Sequence, residues 1–145
     1  MITEIDAGHI VYDGFAFMGL ERRLKGHLVK GEIDGEEPLT TERIPDEGMI
    51  IIIPKKRSAD KTYFNDGAVE VNIIVPDLDG ETNPQLNGLL RKALDGLKHG
   101  IVDVSDGTWY RYSVRSHGIE AESSLKCHYA NITLDFETLN VGGNL

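Results

Sequence analysis

The stretch from Asp66 to Gly100 constrains this chain most, because it reads as a strand, a tight acidic turn and a helix in direct succession. Val69, Val71, Ile73 and Val75 alternate with Glu70, Asn72 and Ile74, a period of two carried by β-branched residues, so one strand face looks inward. After Pro76 the chain turns through Asp77-Leu78-Asp79-Gly80. Asn83-Pro84 then reads as an N-cap and first helical position, since proline gives up an N–H that has no helical partner there. Leu86, Leu89, Leu90, Ala93, Leu94 and Leu97 form one apolar stripe, opposite Asn87, Arg91, Lys92, Asp95 and Lys98. Gly100 is a fitting stop. Such a helix needs a sheet to lie on.

The remaining chain supplies the strands. Met49 to Ile53 is a continuous apolar run, and no helical pattern separates it from the Val69–Val75 strand. The two are therefore expected to form a long antiparallel hairpin across the polar, basic stretch 54–67. Ile101 to Val104 is a short strand candidate ending at an Asp106-Gly107 turn. From Trp109 to Val114, Tyr110, Tyr112 and Val114 share one face and Trp109, Arg111 and Ser113 the other. Ser116 to Ser124 reads as an acidic loop. Ala130, Ile132, Leu134 and Phe136 alternate with Asn131, Thr133, Asp135 and Glu137, the cleanest strand of all. At the other end, Phe17, Leu20, Leu24 and Leu28 sit at helical spacing with Glu21, Arg22, Arg23 and Lys25 outside them. That spacing favours a helix over Phe15–Leu28, against a hairpin around Asp13-Gly14. The polar connection from Gly31 to Gly48 is long enough to suggest a functional or mobile loop.

These elements predict one α+β domain over residues 1–145, with ends frayed at about 1–8 and 140–145. The expected order is α-β-β-α-β-β, a mostly antiparallel sheet with two helices packed on one face.

Composition narrows the partners. A net charge of −9 argues against a dedicated nucleic-acid binder, which needs positive charge to displace phosphate counterions. The basic cluster Lys55-Lys56-Arg57 and the acids Glu120 and Glu122 are the candidate subunit or partner contacts. The longest apolar run, Met49–Ile53, is far short of a membrane span, and the N-terminus lacks the pattern of a secretory signal. The single cysteine, Cys127, excludes an internal disulfide and reads as a small buried or half-buried residue.

Chemistry is sparse. Asp77-Leu-Asp-Gly-Glu-Thr82 behind a strand resembles the signature of haloacid-dehalogenase-type phosphatases, whose first aspartate attacks phosphorus. Pro76 stands before that aspartate and Glu81 in the threonine's place, so a Mg-dependent phosphohydrolase using Asp77 and Asp79 is the weakest reading. As a calcium loop the same stretch lacks the glycine at its sixth position and the acid at its twelfth. His9, His27, His99, His117 and His128 form no ligand pair in sequence, although His117 and His128 could approach across the last two strands. No cofactor or metal site and no enzyme is called for. A small ligand- or protein-binding module, centred on Trp109, Tyr110 and Tyr112, is the non-catalytic alternative.

The succession of N-terminal helix, long hairpin, Val69–Val75 strand, Leu/Ala helix near Leu86–Leu97, tyrosine-rich strand and final Ile132-Thr-Leu-Asp-Phe136 strand resembles the tail terminator (tail completion) proteins of tailed bacteriophages and prophages. The resemblance spans about residues 13–139. It implies a structural protein that assembles as a ring, six copies in number, on the end of a tail tube, and that joins the tube to the head connector. It implies the host cytoplasm during assembly and the virion tail afterwards. An acidic surface would let DNA pass through such a ring without sticking.

Overall fold

The computed structural model describes residues 2–24, 28–29, 32–33, 41–57, 64–78 and 82–139, with backbone alone at 28–29, 32–33, 41, 56–57 and 64–66. Helix α1 spans Glu4–Gly14 and helix α2 Gln85–Leu97. Six strands form the main sheet: β1 (Glu21–Leu24), β2 (Met49–Arg57), β3 (Phe64–Pro76), β4 (Ile101–Ser105), β5 (Thr108–Glu122) and β6 (Cys127–Leu139). Their spatial order is β1-β2-β3-β6-β5-β4, and the sheet curls into a half-barrel. Leu28–Val29 and Glu32–Ile33 make a separate small ladder.

The expected order is corrected. The elements run α-β-β-β-α-β-β-β and the sheet is mixed, because β1 lies parallel to β2 with Arg22 beside Ile50 and Leu24 beside Ile52. The helix expected over Phe15–Leu28 is not formed in its described part, where Ala16–Met18 is a 3-10 turn and Glu21–Leu24 is β1; residues 25–27 lie outside those described. The helix lies earlier, opened at Glu4 inside the stretch expected to fray. Thr3 and Asp6 close a capping box: Asp6 N–H donates to Thr3 Oγ1 at 3.1 Å, and Thr3 N–H to Asp6 Oδ2 at 3.0 Å. After Phe15 a single 3-10 turn, Ala16–Met18, ends at Gly19 with φ +69°, and the chain leaves as an extended strand. The second departure is β5. It continues as strand through the expected loop 116–124 to Glu122, past a bulge at Arg115 that shifts its register against β6.

The stretch 54–67, expected as a loop, is strand over 54–57 and 64–67, while other expected pairings are present. The β2–β3 pair is the antiparallel hairpin expected, with Ile50 opposite Ile73 and Ile52 opposite Val71. Helix α2 starts at Gln85 rather than Pro84, but Asn83 still does the capping chemistry: its Oδ1 accepts the Gln85 N–H at 3.1 Å. The Asn83 amide also donates to the Pro76 carbonyl at 3.1 Å, tying the helix start to the end of β3.

Both helices cover the same sheet face. Ala7 and Val11 of α1 and Leu86, Leu90, Ala93 and Leu97 of α2 share a core with Ile50, Ile52, Val69, Val71, Ile73, Val75, Ala130, Ile132, Leu134 and Phe136. Each buried leucine of α2 contributes roughly 1.5–3 kcal/mol. The far face holds a smaller cluster, Ile44, Met49, Ile51, Ile74 and Cys127. Beyond it that face is polar: Asn131 Nδ2 donates to Asn72 Oδ1 at 2.8 Å, and Lys55 pairs with Glu70 at 3.6 Å.

The end of α1 is fixed by one close approach. Tyr112 is 3% exposed, and its hydroxyl occupies the space that a Cβ on Gly14 would fill. Gly14→Ala is expected to destabilise the fold by about 1–3 kcal/mol in denaturant titrations, with much of the loss recovered in the Gly14→Ala/Tyr112→Phe double variant. Gly96→Ala is the control, since only the half-exposed ring of Phe17 must swing aside, and it is expected to shift stability by no more than about 0.5 kcal/mol.

Candidate functional site

Among the described residues, three of the exposed large apolar side chains lie together on the far face, at the β4 end of the sheet. The Asp106-Gly107 turn, with φ +48° and +74°, closes a two-residue hairpin between Ser105 and Thr108. That register places Val104 opposite Trp109 and Val102 opposite Arg111. On the inner neighbour, Trp109 faces Leu139 and Arg111 faces Glu137. Residues opposite one another share a face, so Val102, Val104, Trp109 and Leu139 form one apolar patch. Val102 is 67% exposed, Val104 42% and Trp109 53%. A hollow of about 200 Å³ opens beside Val102, Trp109 and Leu139. Arg111 Nη2 donates to Glu137 Oε2 at 2.8 Å at its border. An exposed tryptophan with two valines and a rim of charge is the composition of an interaction surface.

The other face of the same strands backs the patch with an aromatic stack. Tyr110, Tyr112 and Phe136 stack near parallel, with centroids 5.6 to 6.3 Å apart. Burial pushes Tyr112 up to about 12, helped by Tyr110 and Asp103, and burial with Asp103 also raises Tyr110. Of the three aromatic residues expected to line a site, only Trp109 is exposed; Tyr112 is core and Tyr110 half-buried.

The remaining candidates are dispersed. Lys55 is exposed at the far end of β2, and the side chains of Lys56 and Arg57 lie outside those described. Glu120 accepts the Tyr129 hydroxyl at 2.6 Å and Glu122 that of Ser124 at 2.6 Å. Lys55 and Glu120 share the far face but sit roughly 20 Å apart along the strands, so the basic and acidic groups form no common site. His117 is opposite Ile132 and His128 opposite Ala121, four positions apart and not in contact range. His128 instead meets Asp77: Nδ1 and Oδ1 are 2.7 Å apart, joining the end of β3 to the start of β6. The Asp77 carboxylate thus has a side-chain partner, and Asp79 lies outside the described residues. Among the described residues no group of three or more His, Cys, Asp and Glu could hold a metal ion. Among them, too, no helix is long and apolar enough to cross a membrane. The Asp77–His128 contact, across 51 residues, had no sequence signal. The patch had one, in the alternation from Trp109 to Val114, but not which face would be left bare.

No protein-family model matches this chain, and no curated protein matches it.

Two measurements test the electrostatics. The Glu120 hydrogen bond, then burial and the charge of Glu120, Glu122 and Glu70, hold Tyr129 up at about 12 against an ordinary 10.0. The unfolded chain loses this proton first, so stability is expected to fall as pH rises from about 10 to about 12. Glu120→Gln should bring one tyrosinate absorbance step back toward the ordinary value. Burial, then Asp77 and Glu122, raises the Cys127 thiol to about 11, so alkylation by iodoacetamide near neutral pH is expected to be slow until urea unfolds the chain.

Proposed function

We propose that this chain is a structural assembly subunit of the tail-terminator kind, joining copies of itself into a ring that caps a phage tail tube and meets the head connector. The observation that carries the reading is the exposed Val102–Val104–Trp109 patch beside a sheet edge that no strand covers among the described residues. Apolar surface next to unpaired backbone suits permanent burial in an assembly better than exposure on a free monomer. The two sheet edges differ, one a short parallel strand and the other a hairpin arm, which suits the head-to-tail contacts of a ring. The charge of −9 agrees with a passage through which nucleic acid moves without binding. Assembly in a bacterial cytoplasm and residence in the virion tail belong to the same proposal.

The second reading, a non-catalytic module that takes an apolar side chain or small ligand, is favoured by the hollow between Val102, Trp109 and Leu139.

Light scattering after size exclusion, over a series of concentrations, separates the two. The ring reading expects a closed species of several subunits, six where the resemblance holds, or a climb towards one as concentration rises. A single-subunit mass at every concentration overturns the ring and leaves the binding module.

A further inference from the structure

We propose that in this ring the edge strand β4 of one copy pairs with the edge strand β1 of the next, and that Asp103 meets Arg22 across the junction. The inference rests on the ring reading and deepens it; the occupant of the open edge is a second copy of this chain.

The hairpin geometry shows what β4 offers. A two-residue loop makes Ser105 and Thr108 the hydrogen-bonded closing pair, so Asp103 and Ile101 also bond inward to β5. Val102 and Val104, between them, turn their N–H and C=O groups outward. Among the described residues the Val104 N–H accordingly donates to no strand; it donates to the Asp103 carboxylate, Oδ1, at 2.8 Å. Asp103 therefore guards the edge by occupying one of its donors. At the opposite end of the sheet, β1 pairs with β2 on one side, and among the described residues no strand covers its other side.

Charge and facing then select the partner edge. Asp103 is opposite Tyr110, itself opposite Thr138, so it lies on the face that the helices cover. Arg22 is level with Ile50 and lies on that same face, its guanidinium 4.6 Å from the centre of the Tyr12 ring. The Arg22 Nε is buried with no hydrogen-bond partner among the described residues. A sheet continued from β4 into a neighbour's β1, with the helices on one side throughout, brings this acid and this base to the same side of the junction. When Arg22 takes the carboxylate, the Val104 N–H is released to the arriving strand. The symmetric alternatives lose on charge: β4 against β4 sets Asp103 near Asp103, and β1 against β1 sets Arg22 near Arg22. Only the unlike pairing is complementary. Being heterologous, it repeats head to tail, and a ring results once the rotation between copies closes.

Charge reversal with light scattering tests this, with circular dichroism confirming that each variant is folded. Asp103→Arg is expected to raise the concentration needed for assembly by roughly tenfold or more. Val104→Pro, which removes an N–H that the hairpin does not use, should do the same. The double variant Asp103→Arg/Arg22→Asp should recover assembly, because each junction again holds one acid and one base. If the wild type assembles and folded Asp103→Arg or Val104→Pro assembles equally well, the edge pairing is overturned while the ring stands. A folded double variant that fails to recover overturns the Asp103–Arg22 contact. A wild type that never exceeds one subunit removes the ring reading itself, and this junction with it.

Discussion

Strand β6 is hydrogen-bonded to a neighbour on each side along its whole length, and the rest of the molecule depends on that register. Every residue from Cys127 to Leu139 has a partner in β3 and another in β5. The period of two then decides the core, since Ala130, Ile132, Leu134, Phe136 and Thr138 are all no more than 1% exposed beneath the helices. A slip by one residue would drive Asn131, Thr133, Asp135 and Glu137 into that layer, each losing water without a prepared partner. The helices lock the register from above and need it in return, because the leucine stripe of α2 has no other surface to cover.

How much of this could be read from the letters follows from how far each local rule persists. The β6 alternation and the α2 stripe run for several turns or repeats, and both elements stand where the pattern put them. The N-terminal region shows the opposite case. Thr3 and Asp6 carried a capping-box signal that the longer Phe17–Leu28 spacing overshadowed. Strand β1 was hidden because one of its inward residues is an arginine: Arg22 lies over Tyr12 in the helix layer, so the strand shows no apolar alternation. Long side chains bury their stems along apolar surface, and pattern reading counts them as outside.

Strand β5 was legible only as far as its bulge. Up to Val114 the parity assigned by sequence is the one the fold uses, with Tyr110 and Tyr112 towards the helices and Trp109 away. At Arg115 the register against β6 shifts, so His117 and Ile119 take the face that even-numbered residues held before. That change of phase, together with wide exposure beyond it, erased the period and made the segment look like loop. The candidate patch had a similar history. Its residues alternate correctly, but which side the two helices would cover is a property of the whole domain and no single strand records it.

The central ladder also sets an order of events for the chain as it folds. Asn72 and Asn131, joined across β3 and β6, are 59 residues apart, whereas the β4–β5 hairpin closes over two. Contacts between distant segments bring the entropy cost of loop closure before any reward, so the hairpin and α2 form early and β3 meets β6 late. During that interval one hydrogen-bonding edge of β3 is without its neighbour, and the face that carries Val69, Val71, Ile73 and Val75 lacks the part of the shared core that β6 supplies. A newly made chain is thus most adhesive in its middle before it is complete, and that is the stage at which crowding by sister chains has its greatest effect.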